Sequence, residues 1–308
     1  MTGYPSQDYK LTITHLAFYR KENKMKKLIS LITVAAMLAA LLVLATGCGK
    51  KTRSLADIKA SGKLVVYTEA GFAPFEFVSG GKVVGVDVAI CGEIAKSIGV
   101  ELEIKDVNFD TILGAIKSGK CDMGAAGITI TDERKEEVDF SAPYTTSKQY
   151  IVVPVSNTTV STLGTMAGLK IGVQQGTTSD FIISDAIDGT EDDDGKHVKG
   201  ELEGTGATVS GYKSPNDVVP LLLSGKIDVL VTDKLPAEMI AKNNADTLKC
   251  FELFYDDGTA TDESYGVAVA KGNTELLAVI DTVIAQLIAD GKIDEYIVYY
   301  SNEVTADK

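Results

Sequence analysis

The chain contains no tryptophan and only two histidines, His15 and His197. Metal sites and catalytic pairs that depend on imidazole therefore have few residues to draw on. Cysteine is also scarce, and no Cys-x-x-Cys pair occurs among the four that are present: Cys48, Cys91, Cys121 and Cys250. We interpret the last three as small buried thiols. The sequence thus predicts neither a metal ion nor another cofactor.

Basic residues are outnumbered, since 30 Lys and Arg stand against 43 Asp and Glu, which gives a formal charge of −13. Residues 1–47 hold six of the basic and two of the acidic residues, so the rest of the chain has 24 and 41 and stands at −17. Such an acidic protein repels phosphate backbones, and no basic stripe offsets this charge. Nucleic-acid binding is therefore excluded.

An apolar run extends from Leu28 to Ala45 and follows the basic pair Lys26-Lys27. A basic start, an apolar middle and a small-residue end are typical of a secretory signal. An uncleaved membrane anchor is the alternative, because the run is about long enough to span a bilayer. Ala45-Thr46-Gly47-Cys48 favours export, since it resembles the bacterial lipoprotein signal. That resemblance implies lipidation of Cys48 and attachment to the outer face of the cytoplasmic membrane.

The N-terminal region accordingly divides into three predicted parts. Residues 1–24 precede a more convincing start at Met25, and we expect a non-native or disordered extension there. Residues 25–47 are the predicted signal peptide, and residues 48–55 form a short polar tether to the membrane.

Beyond Leu55, short apolar runs alternate with amphipathic patterns, which favours an α/β fold with a largely parallel sheet. The predicted strands are 63–68, 101–107, 121–126, 170–173, 207–212, 227–231 and 265–270. The predicted helices are 87–98, 110–117, 179–187, 217–223, 274–289 and 293–300. Residues 184–206 are rich in acids and glycine, and we expect a solvated loop. A calcium loop is the alternative, but the spacing matches no EF-hand.

An internal repeat indicates how these elements are grouped. Ser118-Gly119-Lys120-Cys121-Asp122 recurs as Ser224-Gly225-Lys226-Ile227-Asp228, each time between a predicted helix and a predicted strand. Glycine ends a helix because it tolerates a left-handed backbone, and lysine suits the negative helix end. Two copies in matching positions predict two lobes of similar build. We assign residues 56–147 and 265–308 to lobe 1 and residues 148–264 to lobe 2.

The segment Gly127–Arg134, GITITDER, joins a predicted strand to a helix start. The unpaired N–H groups of a helix N-terminus suit a carboxylate ligand. Arg134 can hold a carboxylate by two parallel hydrogen bonds, and Thr129 can donate a third. The alternative is a capped helix with Arg134 in a surface ion pair.

Seven short motifs follow one another between about Leu64 and Tyr300: FAPFEF at 72–77, GVDV at 85–88, Phe109-Asp110, GITITDER at 127–134, DFSAPY at 139–144, QQGTTS at 174–179 and VTD at 231–233. In this order they resemble the bacterial extracytoplasmic solute-binding proteins of family 3, which capture polar amino acids for ABC importers. The resemblance implies the type II periplasmic-binding-protein fold, in which two α/β lobes joined by two hinge strands close over the ligand.

The resemblance also implies ten ligand-binding residues: Glu69, Phe72, Phe109, Ala126, Gly127, Thr129, Arg134, Gln174, Thr178 and Asp233. Arg134 and Thr129 would hold the α-carboxylate of an amino acid, helped by the backbone at 126–127, and Asp233 would take its α-ammonium. Phe72 and Phe109 would stack on the ligand side chain. Charge partners on different lobes would be satisfied together only in the closed form.

Three other assignments complete the candidate site. Gln174 and Thr178 would close the cleft from lobe 2. Glu69 occupies a position that often contacts the ligand side chain in this family, and a carboxylate there favours a basic or amide side chain. Cystine binders can also carry Glu here. Taken alone, Asp233 is equally explained as the N-cap of the helix that follows it.

The partners that the resemblance implies are a free amino acid and an ABC-transporter permease, with the protein acting as a monomer and not as an enzyme. A cyclohexadienyl dehydratase-like enzyme on the same fold is one rival, although the sequence shows no nucleophile–base pair. A sensory or adhesive lipoprotein is the other.

Overall fold

The computed structural model describes residues 52–306. The predicted extension, the signal peptide, Cys48 and most of the tether lie outside the described residues. Within residues 52–306, no helix is both long and apolar enough to cross a membrane. The same residues contain no cluster of three or more His, Cys, Asp or Glu side chains that could hold a metal ion.

Helices and strands alternate along the described chain. The α-helices there are α1 (Leu55–Ser61), α2 (Val86–Ile98), α3 (Ile112–Lys117), α4 (Asp132–Glu137), α5 (Thr178–Asp188), α6 (Pro215–Leu223), α7 (Lys234–Asn243), α8 (Thr274–Ala289) and α9 (Lys292–Ala306). Short 3-10 helices cover Phe109–Thr111 and Gly164–Met166.

The strands of the same region are β1 (Lys63–Thr68), β2 (Gly71–Phe72), β3 (Glu76–Ser79), β4 (Lys82–Val84), β5 (Glu101–Asp106), β6 (Met123–Gly124), β7 (Val138–Phe140), β8 (Thr145–Pro154), β9 (Lys170–Gln174), β10 (Thr190–Glu191), β11 (His197–Val198), β12 (Thr208–Tyr212), β13 (Val229–Asp233), β14 (Leu248–Glu252), β15 (Asp262–Tyr265) and β16 (Ala268–Ala270).

Two mixed sheets form the framework. In the first, ordered β5-β1-β6-β16-β7, strands β5, β1 and β6 are parallel and β16 is antiparallel to both of its neighbours. In the second, ordered β12-β9-β13-β8-β14, strands β12, β9 and β13 are parallel and β8 is antiparallel to both of its neighbours. The predicted parallel arrangement is therefore correct for three strands of each sheet. It is wrong where β8 and β16 arrive from the other sheet instead of through a helical crossover.

Strands β8 and β15 connect the two sheets. The first part of β8, from Thr145 to Lys148, pairs with β15, whereas the part from Gln149 onward pairs with β13 and β14. β15 then leads into β16 of the first sheet. The chain is thus folded as two α/β lobes joined by two strands, as the resemblance implies.

The repeated pentapeptide builds the same corner in each lobe. Gly119 and Gly225 have φ values of 67° and 68° directly after α3 and α6, the left-handed conformation that ends a helix. The carboxylate of Asp122 accepts the N–H of Val65 at 2.7 Å. Asp228 accepts the N–H of Lys170 in the same way, at 2.8 Å. Each aspartate therefore ties its corner to the neighbouring strand.

Some predicted boundaries are wrong. The strand predicted at 265–270 is interrupted at Gly266, because the chain leaves β15 there and enters the first sheet as β16. The strand predicted at 121–126 pairs only at Met123–Gly124, and α9 extends to Ala306. The expected loop at 184–206 begins with the end of α5 and contains the β10–β11 hairpin.

Each lobe has its own apolar core. In lobe 1, α2 and α8 cover the first sheet through fully buried aliphatic side chains, among them Ile90, Ile94, Leu276, Ile280 and Ile284. The second core lies on the other sheet and includes Ile151, Ile171, Val229 and Val231. The three cysteines in the described region are free, and Cys91 and Cys121 are buried. Burial raises the pKa of the Cys121 thiol to about 12, so this residue remains protonated at neutral pH.

Candidate functional site

The candidate site lies where strands of both lobes end. β1 ends just before Glu69, β9 ends at Gln174 and β13 ends at Asp233. Ligands of open α/β sheets bind outside the carboxyl ends of the strands, so this arrangement is the one the fold favours.

One small cavity of about 10 Å³ is lined by Thr177 and by all of the predicted ligand-binding residues except Glu69. The complete lining is Phe72, Phe109, Ala126, Gly127, Thr129, Arg134, Gln174, Thr177, Thr178 and Asp233. Glu69 joins the group through its carboxylate, which accepts a hydrogen bond from Gln174 Nε2 at 2.9 Å. The structure thus brings together residues that lie as much as 164 positions apart in the sequence.

Arg134 lies in α4 and is only 6% exposed. Thr131 caps this helix and accepts the N–H of Arg134 at 3.2 Å, which fixes where the arginine leaves the backbone. The guanidinium donates from Nη1 to Thr129 O at 2.8 Å and from Nη2 to Gly176 O at 3.1 Å. It also lies 5.5 Å from the Phe109 ring centroid. The surface ion pair considered from the sequence is therefore wrong, because the side chain is buried in the cleft.

Burial lowers the pKa of Arg134, and the nearby carboxylates of Glu263 and Asp233 oppose that shift. An arginine remains charged under such conditions, so the cleft contains a buried cation that anions must balance.

Gly127 shows why glycine follows Ala126 in this segment. Its φ is 55°, and a Cβ there would lie 2.7 Å from Cε1 of Phe72. The Gly127 N–H donates to Asp87 Oδ2 at 2.8 Å. This N–H group, which the sequence interpretation assigned to the ligand, is therefore engaged by Asp87 in the structure.

Asp233 is 4% exposed and accepts two hydrogen bonds on Oδ1. Tyr265 donates its hydroxyl at 2.7 Å and Gln149 donates from Nε2 at 3.2 Å. Burial, followed by the charge of Glu263, raises the pKa of Asp233 well above its usual range. Asp233 stands at the N-cap position of α7 but makes no side-chain cap hydrogen bond, so its carboxylate points to the cleft instead.

Glu69 and Gln174 meet across the cleft through the hydrogen bond that Gln174 Nε2 donates to Glu69. Gln174 Nε2 also donates to Lys213 O at 2.9 Å, which leaves the buried Gln174 Oε1 with no hydrogen-bond partner among the described residues. Burial raises the pKa of Glu69 to about 7, although the hydrogen bond from Gln174 opposes the shift. Glu69 and Gln174 thus offer acceptor oxygens to a ligand.

The aromatic residues near the cleft form two groups. Phe72 and Phe109 line the cavity, whereas Phe75 and Phe77 are buried and do not line it. Phe72 stacks on Phe75 with ring centroids 6.0 Å apart, and Phe75 meets Tyr265 edge-on at 5.1 Å.

Three residues of the site were missed by sequence reasoning: Gln149, Thr177 and Glu263. Gln149 is fully buried on β8 and Glu263 is half-buried on β15, so both lie on the strands that join the lobes. Thr129 Oγ1 donates to Glu263 Oε2 at 3.0 Å. Thr177 lies within the QQGTTS motif, whereas no local motif marks Gln149 or Glu263, because their neighbours come from other strands.

A larger cavity of about 1030 Å³ lies in front of the cleft and shares Phe109, Thr129, Arg134 and Thr178 with it. Its walls carry six acidic side chains: Asp110, Glu133, Glu137, Asp185, Asp262 and Glu263. Arg134 is the single basic residue in this described lining. The entrance to the cleft therefore has a negative field that attracts cationic solutes.

Comparison with known families gives a match over residues 64–303 to the bacterial extracellular solute-binding proteins, family 3. The chain belongs to this family. The match spans both lobes and includes every candidate site residue.

Proteins similar to this family 3 protein are named after several different ligands. The L-cystine-binding protein TcyJ of Escherichia coli is 30% identical over 83% of this chain and 91% of its own. The arginine-binding extracellular protein ArtP of Bacillus subtilis is 28% identical over 88% of this chain and 96% of its own.

Solved structures show the same two-lobed architecture. The amino acid ABC transporter substrate-binding protein AbpA of Streptococcus pneumoniae, bound to L-arginine, has a TM-score of 0.70 and 31% identity, covering 80% of this chain and 98% of that one. The ancestral amino acid-binding protein AncCDT-1, a precursor of cyclohexadienyl dehydratase, has a TM-score of 0.68 and 29% identity, covering 80% and 98%.

Proposed function

We propose that this family 3 protein captures a free polar amino acid outside the cytoplasm and delivers it to an ABC importer. The observation that carries the proposal is the pair Arg134 and Asp233, a buried cation and a buried carboxyl from different lobes that line one cavity. The relatives' binding roles support the transport assignment.

A zwitterion needs both partners. Removing an α-carboxylate or an α-ammonium from water costs several kcal/mol unless an opposite charge and hydrogen bonds replace the water. Arg134 and Thr129 are placed to receive the carboxylate, and Asp233 to receive the ammonium. Ala126, Gly127, Phe72, Phe109 and Thr178 complete the proposed contacts around the ligand.

The proposed class of ligand follows from Glu69 and Gln174. The carboxylate of Glu69 and the unpartnered Oε1 of Gln174 are both acceptors, and they favour a side chain rich in N–H groups. We therefore propose a basic or amide amino acid. The arginine-binding relative and the arginine-bound structure support the same class.

Ligand entry requires the lobes to move apart. The cavity of about 10 Å³ holds roughly one water molecule and not an amino acid. The hydrogen bonds that cross between the lobes include Arg134 to Gly176 O at 3.1 Å, Gln174 to Glu69 at 2.9 Å and Asn216 to Gly71 O at 3.0 Å. Opening must break them, and an amino acid that bridges the lobes would replace them.

We further propose that the chain is lipid-anchored through Cys48 on the outer face of the membrane and acts there as a monomer. The sequence of residues 25–48 supports export and lipidation, and the family is extracellular. The lobe limits assigned from the sequence, 56–147 with 265–308 and 148–264, are part of this proposal.

Simple capture, not catalysis, is the proposed activity. The relative named as a dehydratase precursor is itself described as an amino acid-binding protein. The alternative is tested by incubating the protein with prephenate and arogenate, for which we expect no elimination of water. Turnover of either compound would make the chain an enzyme.

The function is tested by thermal-shift screening of the purified protein against the twenty amino acids and cystine. A ligand that binds only the native state raises the melting temperature, and we expect shifts for basic or amide amino acids. Arg134→Ala should abolish them. Absence of any shift with the wild-type protein, or unchanged shifts with Arg134→Ala, would contradict the proposal.

A further inference from the structure

Glu263 makes contacts at both ends of the proposed α-amino-acid site. Its Oε2 accepts from Thr129 Oγ1 at 3.0 Å, beside Arg134, and its Oε1 accepts from Gln149 Nε2 at 3.0 Å. The same Gln149 Nε2 also donates to Asp233 Oδ1 at 3.2 Å. Glu263 thus faces the same space as the carboxylate and ammonium partners.

Gln149 holds the two carboxyls together. Its Nε2 lies 3.2 Å from Asp233 Oδ1 and 3.0 Å from Glu263 Oε1, so one amide group faces both. Ser179 Oγ donates to Gln149 Oε1, which fixes the orientation of the amide and leaves its N–H groups for the carboxyls. Because Gln149 is fully buried on β8, this bridge belongs to the rigid strand that joins the lobes.

Two ionised carboxylates that share one amide donor in a buried site repel each other, because an ionised carboxylate can only accept hydrogen bonds. A single proton held by the pair removes this repulsion. Burial and the charge of Glu263 raise the pKa of Asp233 well above its usual value.

Other titratable or charged groups face the pair from each neighbouring element: Arg134 on α4, Tyr265 on β15, Glu76 on β3, Tyr255 beyond β14, and Lys148, Lys234 and Asp262, which line a groove with Glu263. Arg134 favours ionisation of the pair, and so does the hydroxyl of Tyr265, which donates to Asp233 at 2.7 Å. Glu76 is buried and opposes ionisation of Asp233. A further cation placed between the two carboxyls would therefore favour full ionisation of the pair.

We propose that Asp233 and Glu263 form one proton-sharing carboxyl pair that receives the ligand's α-ammonium, so that amino-acid capture displaces a proton to solvent. This inference rests on the proposed function. On binding, the O–H bond of the pair breaks, its proton leaves to water, and N–H groups of the ammonium donate to the two carboxylates. Glu263 is thereby a further ligand-binding residue, supplied by a strand that joins the lobes.

The test is calorimetric titration of the full protein with the amino acid that gives the largest thermal shift. Titrations are run at one pH in buffers of different ionisation enthalpy, because the dependence of the measured heat on the buffer gives the number of protons released. We expect the wild-type protein to release a measurable fraction of one proton near neutral pH. Affinity should rise with pH by up to about tenfold per unit while the free pair holds its proton.

Glu263→Gln keeps the shape of the side chain and removes the shared charge, so its proton release should fall by at least half and its affinity should depend less on pH. Glu275→Gln is the matched control, since it makes the same substitution at an exposed position in the first turn of α8, outside the cleft. Its proton release should equal that of the wild-type protein.

Glu69 can also release a proton to a basic ligand, because its pKa is about 7. The difference between wild type and Glu263→Gln is therefore also measured in a Glu69→Gln background, where it should persist. Tyr265→Phe provides a second variant if Glu263→Gln does not fold. It removes a donor to Asp233 while keeping the ring, so proton release should continue to higher pH than in the wild-type protein.

The two hypotheses fail in different ways. If the wild-type protein binds no amino acid, the proposed function is wrong. If it binds one with the same heat in every buffer, or if Glu263→Gln releases as many protons as the wild type, the carboxyl pair is wrong while the function stands. A purely structural role for Glu263 would lower the melting temperature of the variant and leave its proton count unchanged.

Discussion

Individual side chains of the cleft are placed by contacts with distant parts of the chain. Arg134 is held by carbonyl oxygens of residues 129 and 176, one from each lobe. Glu69 is 2% exposed and is held by Gln174 from the other lobe. Charged groups buried to this degree cost folding free energy unless they are partnered, and we propose that ligand binding accounts for their position in the cleft.

Glu69 should make the ligand-free protein less stable as pH rises. Its pKa is about 7 in the folded protein against an ordinary 4.5, so the folded state binds the proton more tightly. The resulting stabilisation is present below pH 4.5 and is lost between about pH 4.5 and 7, by up to about 3 kcal/mol. Chemical unfolding across that range measures it. Glu69→Gln should show a smaller loss than the wild type, and identical pH profiles would contradict the assignment.

The ends of helices and strands form the close contacts between the two lobes. β2 begins at Gly71, and a Cβ there would lie 2.6 Å from Cβ of Ser214 and 2.9 Å from Oε1 of Glu69. Ser214 precedes α6 in the other lobe. Glycine at this position therefore lets the two lobes approach each other.

Gly71→Ala should hold the lobes apart and weaken ligand binding about tenfold or more, since closure supplies contacts from both sides. The unfolding midpoint of the ligand-free protein should change little, because the added methyl group meets only the opposing lobe and a flexible side chain. Gly92→Ala is the control, as its Cβ would meet nothing within 4 Å inside α2; it should leave affinity unchanged. Calorimetry on both variants checks this, and equal affinities would remove Gly71 from the closing surface.

Local sequence signals predicted much of the fold at this scale. The bond from each aspartate of the repeated corner to the neighbouring strand was not predicted, whereas the left-handed glycine that ends each helix was. The break at Gly266 and the contacts of Gln149 and Glu263 were not predicted either, because they depend on strand pairings between residues more than 100 positions apart. The motif around Arg134 predicted the cleft, whereas its burial between the lobes required the structure.

The whole molecule combines an acidic entrance, a two-lobed cleft and an N-terminal region that we expect to tether it. The acidic walls of the outer cavity concentrate cationic solutes at the entrance. A lipid on Cys48 would hold the protein at the membrane, where a permease can accept the ligand.

Cys48→Ser should convert a membrane-bound protein into a released one when the full chain is expressed in a bacterium that lipidates exported proteins. Incorporation of labelled fatty acid should be lost as well, because the modified thiol is gone. Cys250→Ser, which changes a half-buried free thiol, should leave both properties intact. Retention of Cys48→Ser in the membrane fraction would indicate an uncleaved anchor.

The central claim is that one free amino acid is held at both of its α-groups between Arg134 and Asp233. Calorimetric titration with the best amino acid, its α-carboxamide and its Nα-acetyl derivative tests this most directly. We expect each blocked compound to bind at least about 100-fold more weakly, since each leaves a buried charge without its partner. Equal affinity for either derivative would show that the ligand does not bridge Arg134 and Asp233.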